Sequence, residues 1–235
     1  MMQLFYENTL KPDTDLFEIN QNEANHITKV LRYKVGETLI FTDGKGYKYT
    51  CELKSNNPKN CTAIVTNVEL VEPMPYELHI AIAPTKNNNR IEFFVEKAVE
   101  IGITEITPII CRYSERRKIN IERLEKISIA ASKQSLKFYK PKINSAVDFN
   151  SFVTKQYQDF NKYIAMCEST ESIFNLKNNN KKYIFVIGPE GGFDNNEIKV
   201  AKQNSFVPVK LNNYRLRTET AGIYATVLSN IINTL

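Results

Sequence analysis

The feature that most constrains the fold is a change of hydrophobic pattern at Pro73 and Pro75. Beyond these prolines, apolar segments of strand length alternate with amphipathic segments of helix length. Strands that alternate with helices predict an α/β fold with a mostly parallel sheet covered on both faces. Because proline stops helices and central strands, we place a boundary here, between a domain of residues 1–72 and one of residues 73–235.

The second region supports specific element predictions. The segment "RIEFFVEKAVEIG" places apolar residues at helical spacing and ends at Gly102, a predicted C-cap. Another amphipathic helix is predicted over residues 120–136, and Asp194 with Glu197 predicts a capping box for a third. The last helix is predicted from about Thr218 to Asn233. The predicted strands are "ELHIAIAP", "ITEITPII", "KYIAMC", "KKYIFVIG" and "FVPVKL".

Short β-rich runs separated by turn signals characterise residues 1–72. Asp43, Gly44 and Gly46 lie between two such runs and predict a hairpin, since glycine accepts the positive φ of tight turns. Residues 22–33 predict a short helix, which is followed by Gly36. The spacing favours a small β-barrel with one helix, a kind of module that often binds RNA.

Composition argues against several protein classes. No apolar run reaches the length of about eighteen residues that a membrane helix needs. The start "MMQLFYENTL" lacks the basic and apolar regions of a signal peptide, so we expect a cytoplasmic protein. The four cysteines, Cys51, Cys61, Cys111 and Cys167, form no C-x-x-C pair, and the chain has two histidines. We therefore expect no metal site and reduced, buried cysteines.

Positive charge is concentrated in residues 112–142, which carry ten basic and three acidic side chains. Such a segment is either a solvated helix face or a surface that binds a polyanion such as RNA. The charge pattern alone favours neither interpretation.

Two segments near the C-terminus indicate the chemistry. The turn Gly188-Pro189-Glu190-Gly191-Gly192 follows an apolar strand and precedes a capped helix, a position where open α/β sheets bind ligands. It lacks the lysine and hydroxyl residue of a P-loop. The segment "LNNYRLRTETAG" then leads into the last helix, with Thr218 as candidate N-cap and Ala221 as a small residue allowing close approach. Taken singly, the two are an ordinary turn and a capped helix with an Arg/Glu pair.

Together, "IGPEGGF" and "LRTETA" resemble the SPOUT class of methyltransferases, most closely the ribosomal RNA small subunit methyltransferase E family. That family methylates N3 of the uridine U1498 in 16S ribosomal RNA. The resemblance covers the whole chain: "HITKVLRYKVGETLIFTDGKG" is similar to the family's PUA-like barrel. "KNNNRIEFFVEKAVEIGITEITPI" matches a further motif of the family through Lys86, Arg90, Glu96, Lys97, Glu100 and Gly102.

The sequence departs from the family pattern in two places. Leu136 and Lys137 replace the common glycine and arginine of "EQSGR", while Gln134 and Ser135 are retained. Asn212 replaces a common glycine after Leu211. The first departure concerns RNA contact and the second concerns the cofactor loop.

The resemblance implies a C-terminal trefoil knot whose loops bind S-adenosylmethionine, and a homodimer with the cofactor sites at its interface. The implied cofactor residues are Cys167, Ile187, Gly188, Pro189, Glu190, Gly191, Gly192, Leu211, Asn212, Leu216, Arg217, Thr218, Thr220 and Ala221. The candidate catalytic residues are Arg217, Glu219 and Glu190. Arg217 would stabilise charge on the uracil, and Glu219 would accept a proton or hold Arg217 in place.

The expected partner is 16S ribosomal RNA, within the small ribosomal subunit. Candidate RNA-binding residues are Arg32, Arg90, Arg112, Arg116, Arg117, Gln134, Ser135 and Lys137. Two alternatives stay open, a SPOUT methyltransferase acting on another ribosomal or transfer RNA nucleotide and a non-catalytic RNA-binding module. A nucleotide-phosphate enzyme is disfavoured by the absent P-loop residues.

Overall fold

The computed structural model describes residues 2–172 and 180–234. The chain divides into two compact units, Met1–Pro73 with Ile129–Lys140 and Met74–Ser128 with Pro141–Leu235. The division at Pro73 lies beside the expected boundary, but residues 129–140 cluster with the first unit, which the sequence did not indicate. The assignment of one function to each domain stays a prediction.

In the first unit, the described residues form a five-stranded sheet in the order β1-β3-β4-β5-β2. The strands are β1 (Leu4–Tyr6), β2 (Leu16–Glu18), β3 (Thr38–Thr42), β4 (Tyr47–Asn57) and β5 (Asn60–Leu70). Helix α1 (Gln21–Asn25) continues into a π-helical turn (His26–Val30). The unit has its own buried core, which includes Phe5, Phe41 and Tyr49.

The predicted hairpin is confirmed. Strands β3 and β4 pair antiparallel, and the turn between them contains Gly44 at φ +78° and Gly46 at φ +103°. The predicted helix over residues 22–33 is confirmed but ends early, at Val30. Arg32 has φ +58°, a left-handed conformation that a right-handed helix cannot contain.

The second unit contains, within its described residues, a seven-stranded sheet in the order β12-β10-β11-β6-β7-β8, with β9 also pairing β7. The strands are β6 (Glu77–Ile82), β7 (Glu105–Ile110), β8 (Lys142–Ile143), β9 (Val147–Asp148), β10 (Asn161–Ala165), β11 (Lys182–Ile187) and β12 (Val207–Val209). All their pairings are parallel. Its helices are α2 (Asn88–Ile101), α4 (Phe149–Val153), α5 (Asn195–Gln203) and α6 (Thr218–Thr234). Helix α3 (Ile121–Gln134) begins in this unit, and its residues from Ile129 onward belong to the first unit.

Helices cover both faces of this sheet, as predicted. Ala81 of β6 lies in a buried cluster with residues of α4 and α5, whereas the neighbouring Ile82 lies beside Gly222 of α6. Successive strand residues point to opposite faces, so these helices lie on opposite sides. The sequence prediction omitted α4, β8 and β9. No helix within residues 2–172 and 180–234 is long and apolar enough to cross a membrane.

Helix α3 ends in a Schellman motif. The Lys137 N–H donates to the Ser132 carbonyl at 2.9 Å, and the Leu136 N–H donates to the Lys133 carbonyl at 3.3 Å. Closing the motif requires a left-handed residue, and Leu136 has φ +57°. This geometry favours glycine at the position that Leu136 occupies. A leucine in this conformation costs about 1 kcal/mol or more, because its Cβ crowds the following carbonyl oxygen.

We expect Leu136→Gly to have a free energy of unfolding about 0.5–1 kcal/mol higher than that of Leu136→Ala, measured by urea denaturation. The leucine side chain is 38% exposed, so both substitutions lose buried apolar surface, and the difference between them isolates the backbone strain. Leu136→Ala is the matched control, because alanine also removes the side chain but keeps the Cβ. Equal stability of the glycine and alanine variants would contradict the strain argument.

Helix α6 packs closely against α2 and β6 at Gly222. A Cβ on Gly222 would lie 2.6 Å from a ring carbon of Phe94 and 3.0 Å from Cδ1 of Ile82. Phe94 is fully buried, so its ring has little room to move. The small residue at this helix contact is therefore Gly222, whereas Ala221, where the sequence predicted a close approach, lines the cavity described below.

We expect Gly222→Ala to destabilise the protein by about 1 kcal/mol. Overpacking against Phe94 costs about 1–3 kcal/mol, and the better helix propensity of alanine offsets about 1 kcal/mol of that. Thr220→Ala, at an exposed position of the same helix, gains propensity without overpacking and should not destabilise. Thermal unfolding of the two variants tests this, and a more stable Gly222→Ala variant would refute it.

Candidate active site

Three neighbouring parallel strands end together at one edge of the second sheet. Strand β10 lies between β11 and β12, so the residues after Ala165, Ile187 and Val209 emerge side by side. This is the carboxyl edge, where open α/β sheets bind ligands. The predicted strand "KYIAMC" ends at Ala165, which leaves Met166 and Cys167 in the loop.

A cavity of about 820 Å³ lies among the three loops. Of the cofactor residues predicted from sequence, Cys167, Ile187, Gly188, Pro189, Glu190, Gly191, Gly192, Leu211, Asn212, Leu216, Arg217, Thr218 and Ala221 line it. Thr220 does not, since it is exposed elsewhere on α6. Of the catalytic candidates, Arg217 and Glu190 line the cavity, whereas Glu219 does not.

Two side-chain hydrogen bonds join the glycine turn to the loop before α6. The Thr218 hydroxyl donates to the Gly188 carbonyl at 3.0 Å, and Nη2 of Arg215 donates to the Glu190 carbonyl at 3.0 Å. The prediction that Thr218 is the N-cap is wrong, because α6 begins at Thr218 and its hydroxyl is committed to Gly188. Thr218 instead fixes one cavity wall against the other.

The helix behind the glycine turn is capped as predicted. The Asp194 carboxylate accepts from the N–H groups of Asn196 and Glu197, and the Glu197 carboxylate accepts from the Asp194 N–H. Oε1 of Glu197 also accepts from the Arg112 N–H at 2.8 Å. These bonds hold the residues that follow Gly192 in place.

Glu219 pairs with a different arginine from the one expected. Its Oε1 lies 3.7 Å from Nε of Arg90, while Arg217 has no side-chain hydrogen bond or ion pair within the described residues. The prediction that Glu219 holds Arg217 in place is therefore wrong. Glu190 accepts a hydrogen bond from the Lys86 N–H at 3.3 Å.

Sequence reasoning missed several cavity residues. Arg90 was assigned to RNA alone, and Glu168, Tyr214 and Arg215 were not proposed, although all four line the cavity. Tyr214 and Arg215 lie within the segment "LNNYRLR", between the predicted cofactor residues Asn212 and Leu216, so their position in this motif could have identified them. The departure at Asn212 has a local role, because its Oδ1 accepts from the Tyr214 N–H at 2.9 Å.

The cysteines follow expectation in part. Cys51, Cys61 and Cys111 are buried, and all four are free. Burial raises the pKa of the Cys51 thiol to about 12, so this group stays protonated and unreactive. Cys167 is exposed, which corrects the expectation of burial for this residue and is consistent with its place in the cavity wall.

Part of the predicted RNA-binding set lies in the second unit around a smaller depression of about 370 Å³. Arg116, Arg117 and Lys118 line it with Lys86 and Glu115. Arg116 donates two hydrogen bonds to the Lys86 carbonyl. The Lys86 ammonium donates a hydrogen bond to Glu115, which raises the pKa of Lys86. Arg112, four residues before Arg116 in the sequence, is exposed.

Apart from Arg90, which lines the cavity of the second unit, the other predicted RNA-binding residues lie in the first unit. Arg32 and Gln134 are exposed, and the Ser135 hydroxyl donates to the Ala131 carbonyl at 2.6 Å. Lys137 is half-buried, and this desolvation lowers its pKa. Ser135 therefore has a local structural partner, whereas Arg32 and Gln134 are accessible.

Known proteins resemble this chain over most of its length. A family model described as an RNA methyltransferase domain matches residues 72–230, and one described as an RNA methyltransferase PUA domain matches residues 19–66. Ribosomal RNA small subunit methyltransferase E 2 of Borreliella burgdorferi is 31% identical, covering 86% of this chain and 85% of that protein. The chain belongs to the ribosomal RNA small subunit methyltransferase E family. It is therefore an RNA methyltransferase with a PUA-like N-terminal domain.

Solved structures extend the likeness to the whole chain. A probable rRNA methyltransferase from Porphyromonas gingivalis is 34% identical, with a TM-score of 0.91, 99% of this chain covered and 98% of the other. A methyltransferase from Legionella pneumophila, solved with bound S-adenosylmethionine, is 25% identical, with a TM-score of 0.89 and the same coverage. The predicted α/β fold with a PUA-like module is thus confirmed.

Proposed function

We propose that the protein transfers a methyl group from S-adenosylmethionine to N3 of a uridine in 16S ribosomal RNA, the position known as U1498. The observation that carries the proposal is the cavity at the carboxyl edge of the sheet, lined by the two motif loops and the end of β10. The Legionella pneumophila relative that contains S-adenosylmethionine covers 99% of this chain, which supports the choice of cofactor.

The residues of the cavity fit this cofactor. Ile187, Leu211 and Leu216 supply apolar surface, while the three glycines of the turn Gly188–Gly192 bring backbone polar groups to the cavity wall. A cavity of about 820 Å³ lies within the size range of ligand pockets. S-adenosylmethionine, when bound, supplies an electrophilic methyl group on a sulfonium sulfur. We assign its binding to these loops and to Cys167, Asn212, Thr218 and Ala221.

The chain's own charged residues would act on the uracil. N3 attacks only after its proton leaves, so the base must be oriented and its developing negative charge stabilised. Arg217 lines the cavity without a partner among the described side chains, so its guanidinium is available for that charge. Glu190 lines the same cavity and is our candidate to accept the N3 proton.

The finer features of the family complete the proposal. We propose that the chain around the two motif loops forms a trefoil knot of the SPOUT type and that two copies form a homodimer at the cofactor sites. The PUA-like domain, residues 1–72, would bind RNA, and residues 73–235 would carry the methyltransferase site. The substrate would be the small ribosomal subunit, which implies a cytoplasmic enzyme. The two motifs support the knot and the dimer, and the basic segment of residues 112–142 supports RNA binding.

Calorimetry and methylation together test the proposal. The protein should bind S-adenosylmethionine and its demethylated product, and should methylate one uridine when given 16S RNA, free or in assembled small subunits. Thr218→Val, which loses the bond to Gly188, should weaken cofactor binding several-fold. Thr220→Val, outside the cavity, is the matched control. No cofactor binding by folded protein would refute the proposal, and a modified base elsewhere would identify another SPOUT specificity.

A further inference from the structure

Glu219 is a buried carboxylate with an incomplete set of partners. Its side chain is 10% exposed, and its Oε1 lies 3.7 Å from Nε of Arg90. Its Oε2 is buried and accepts no hydrogen bond within the described residues. Burying a charged group in this way costs free energy unless a partner compensates for the lost water. The partner that the structure provides is the guanidinium of Arg90.

Arg90 holds its terminal nitrogens free at the cavity wall. The residue lies in the first turn of α2, its side chain is 36% exposed, and it lines the cavity. Its Nη atoms donate no hydrogen bond to any residue in the described ranges. Arg116 and Arg215 behave differently, because their Nη2 atoms donate to the carbonyls of Lys86 and Glu190. Arg90 is thus oriented by a carboxylate while its donors remain available.

We propose that Arg90 binds a carbonyl oxygen of the pyrimidine base that receives the methyl group, and that Glu219 is the positioning residue that orients it. The inference rests on the proposed function and adds a second cationic contact beside Arg217. Glu219 balances the charge of Arg90, which reduces its attraction for a full anion such as the cofactor carboxylate. The planar guanidinium still offers preorganised donors, and these act most strongly on charge that develops during reaction.

Steady-state kinetics on small ribosomal subunits, with calorimetry of S-adenosylmethionine, tests the inference. We expect Arg90→Ala to lower kcat about a hundredfold, the usual effect of losing one preorganised donor. Arg90→Lys should recover only part of this loss, because a lysine lacks the planar fork. Glu219→Gln should lower kcat about tenfold. Cofactor affinity should stay within about twofold of wild type in all three variants.

The double variant Arg90→Ala with Glu219→Gln separates positioning from direct action. If Glu219 acts only through Arg90, the double variant should be no slower than Arg90→Ala alone. Glu92→Gln is the control, because Glu92 is paired with Arg123 at 2.9 Å and is not among the residues that line the cavity, so this change should leave kcat unaltered.

Three results would overturn the inference. These are multiplicative losses in the double variant, a large fall in cofactor affinity with Arg90→Ala, and an unchanged kcat in that variant. Each is read against active wild-type enzyme, so it leaves the proposed function standing. Wild-type protein that binds no S-adenosylmethionine and methylates nothing would overturn the proposed function, and this inference with it.

Discussion

Arg217→Ala is expected to lower turnover about a hundredfold and to leave S-adenosylmethionine affinity within a few-fold of wild type. The side chain lines the cavity and is exposed, with no ion pair among the described residues. Losing one well-placed charged donor costs roughly 3 kcal/mol of barrier. The backbone of Arg217 keeps its role, since its carbonyl accepts from the Ala221 N–H at 2.8 Å, so α6 should begin as before.

Single-turnover rates on saturating small subunits, with calorimetry of the cofactor, measure this effect. Arg217→Lys is the matched variant, because it keeps the positive charge but loses the planar fork of donors. A partial rate with lysine would indicate that charge is the main contribution. A rate for Arg217→Ala within a few-fold of wild type would show that the residue is structural, and the stabilising role would then pass to Arg90.

Local patterns predicted most of the second unit. Strand β6 and helices α2 and α5 have clear signals, namely an apolar run, helical spacing ended by Gly102, and the Asp194 box. Strands β8 and β9 have two residues each, too few for any periodicity. They exist because β7, distant in sequence, offers a pairing edge. Local spacing cannot reveal such long-range pairing.

The sequence predicted the site residues that lie in the motif loops. It did not predict the pairs formed by residues that are distant in the sequence. The glycine turn and "LRTETA" carry their own signal, and their residues line one cavity. The pairing of Arg217 with Glu219 was wrong for a geometric reason. Residues two apart at the start of a helix point in different directions, and Glu219 meets Arg90, which lies on another helix. Only the packing of α6 against α2 brings these two together.

His79 is a buried histidine on strand β6 of the second sheet. Its Nε2 lies 2.7 Å from the Thr107 hydroxyl, and its ring packs edge-on against Phe152 and Tyr157. Nδ1 lies 3.9 Å from a carboxylate oxygen of Glu105. Burial lowers the pKa of His79 from 6.5 to about 4, and nearby Lys142 and Lys155 act in the same direction, while Glu105 opposes them. The native protein therefore keeps this imidazole neutral.

Stability is expected to fall as the pH drops from about 6.5 towards 4. In this window the unfolded chain protonates His79 and the native state does not, so the unfolded state binds more protons and acid favours it. A pKa difference between 6.5 and about 4 corresponds to roughly 3 kcal/mol of unfolding free energy.

His79→Gln keeps a polar side chain beside Thr107 but cannot titrate, so its unfolding free energy should vary much less over this window. Urea denaturation at several pH values measures the difference. The same acid slope in His79→Gln as in wild type would assign the loss to the carboxylates of the protein.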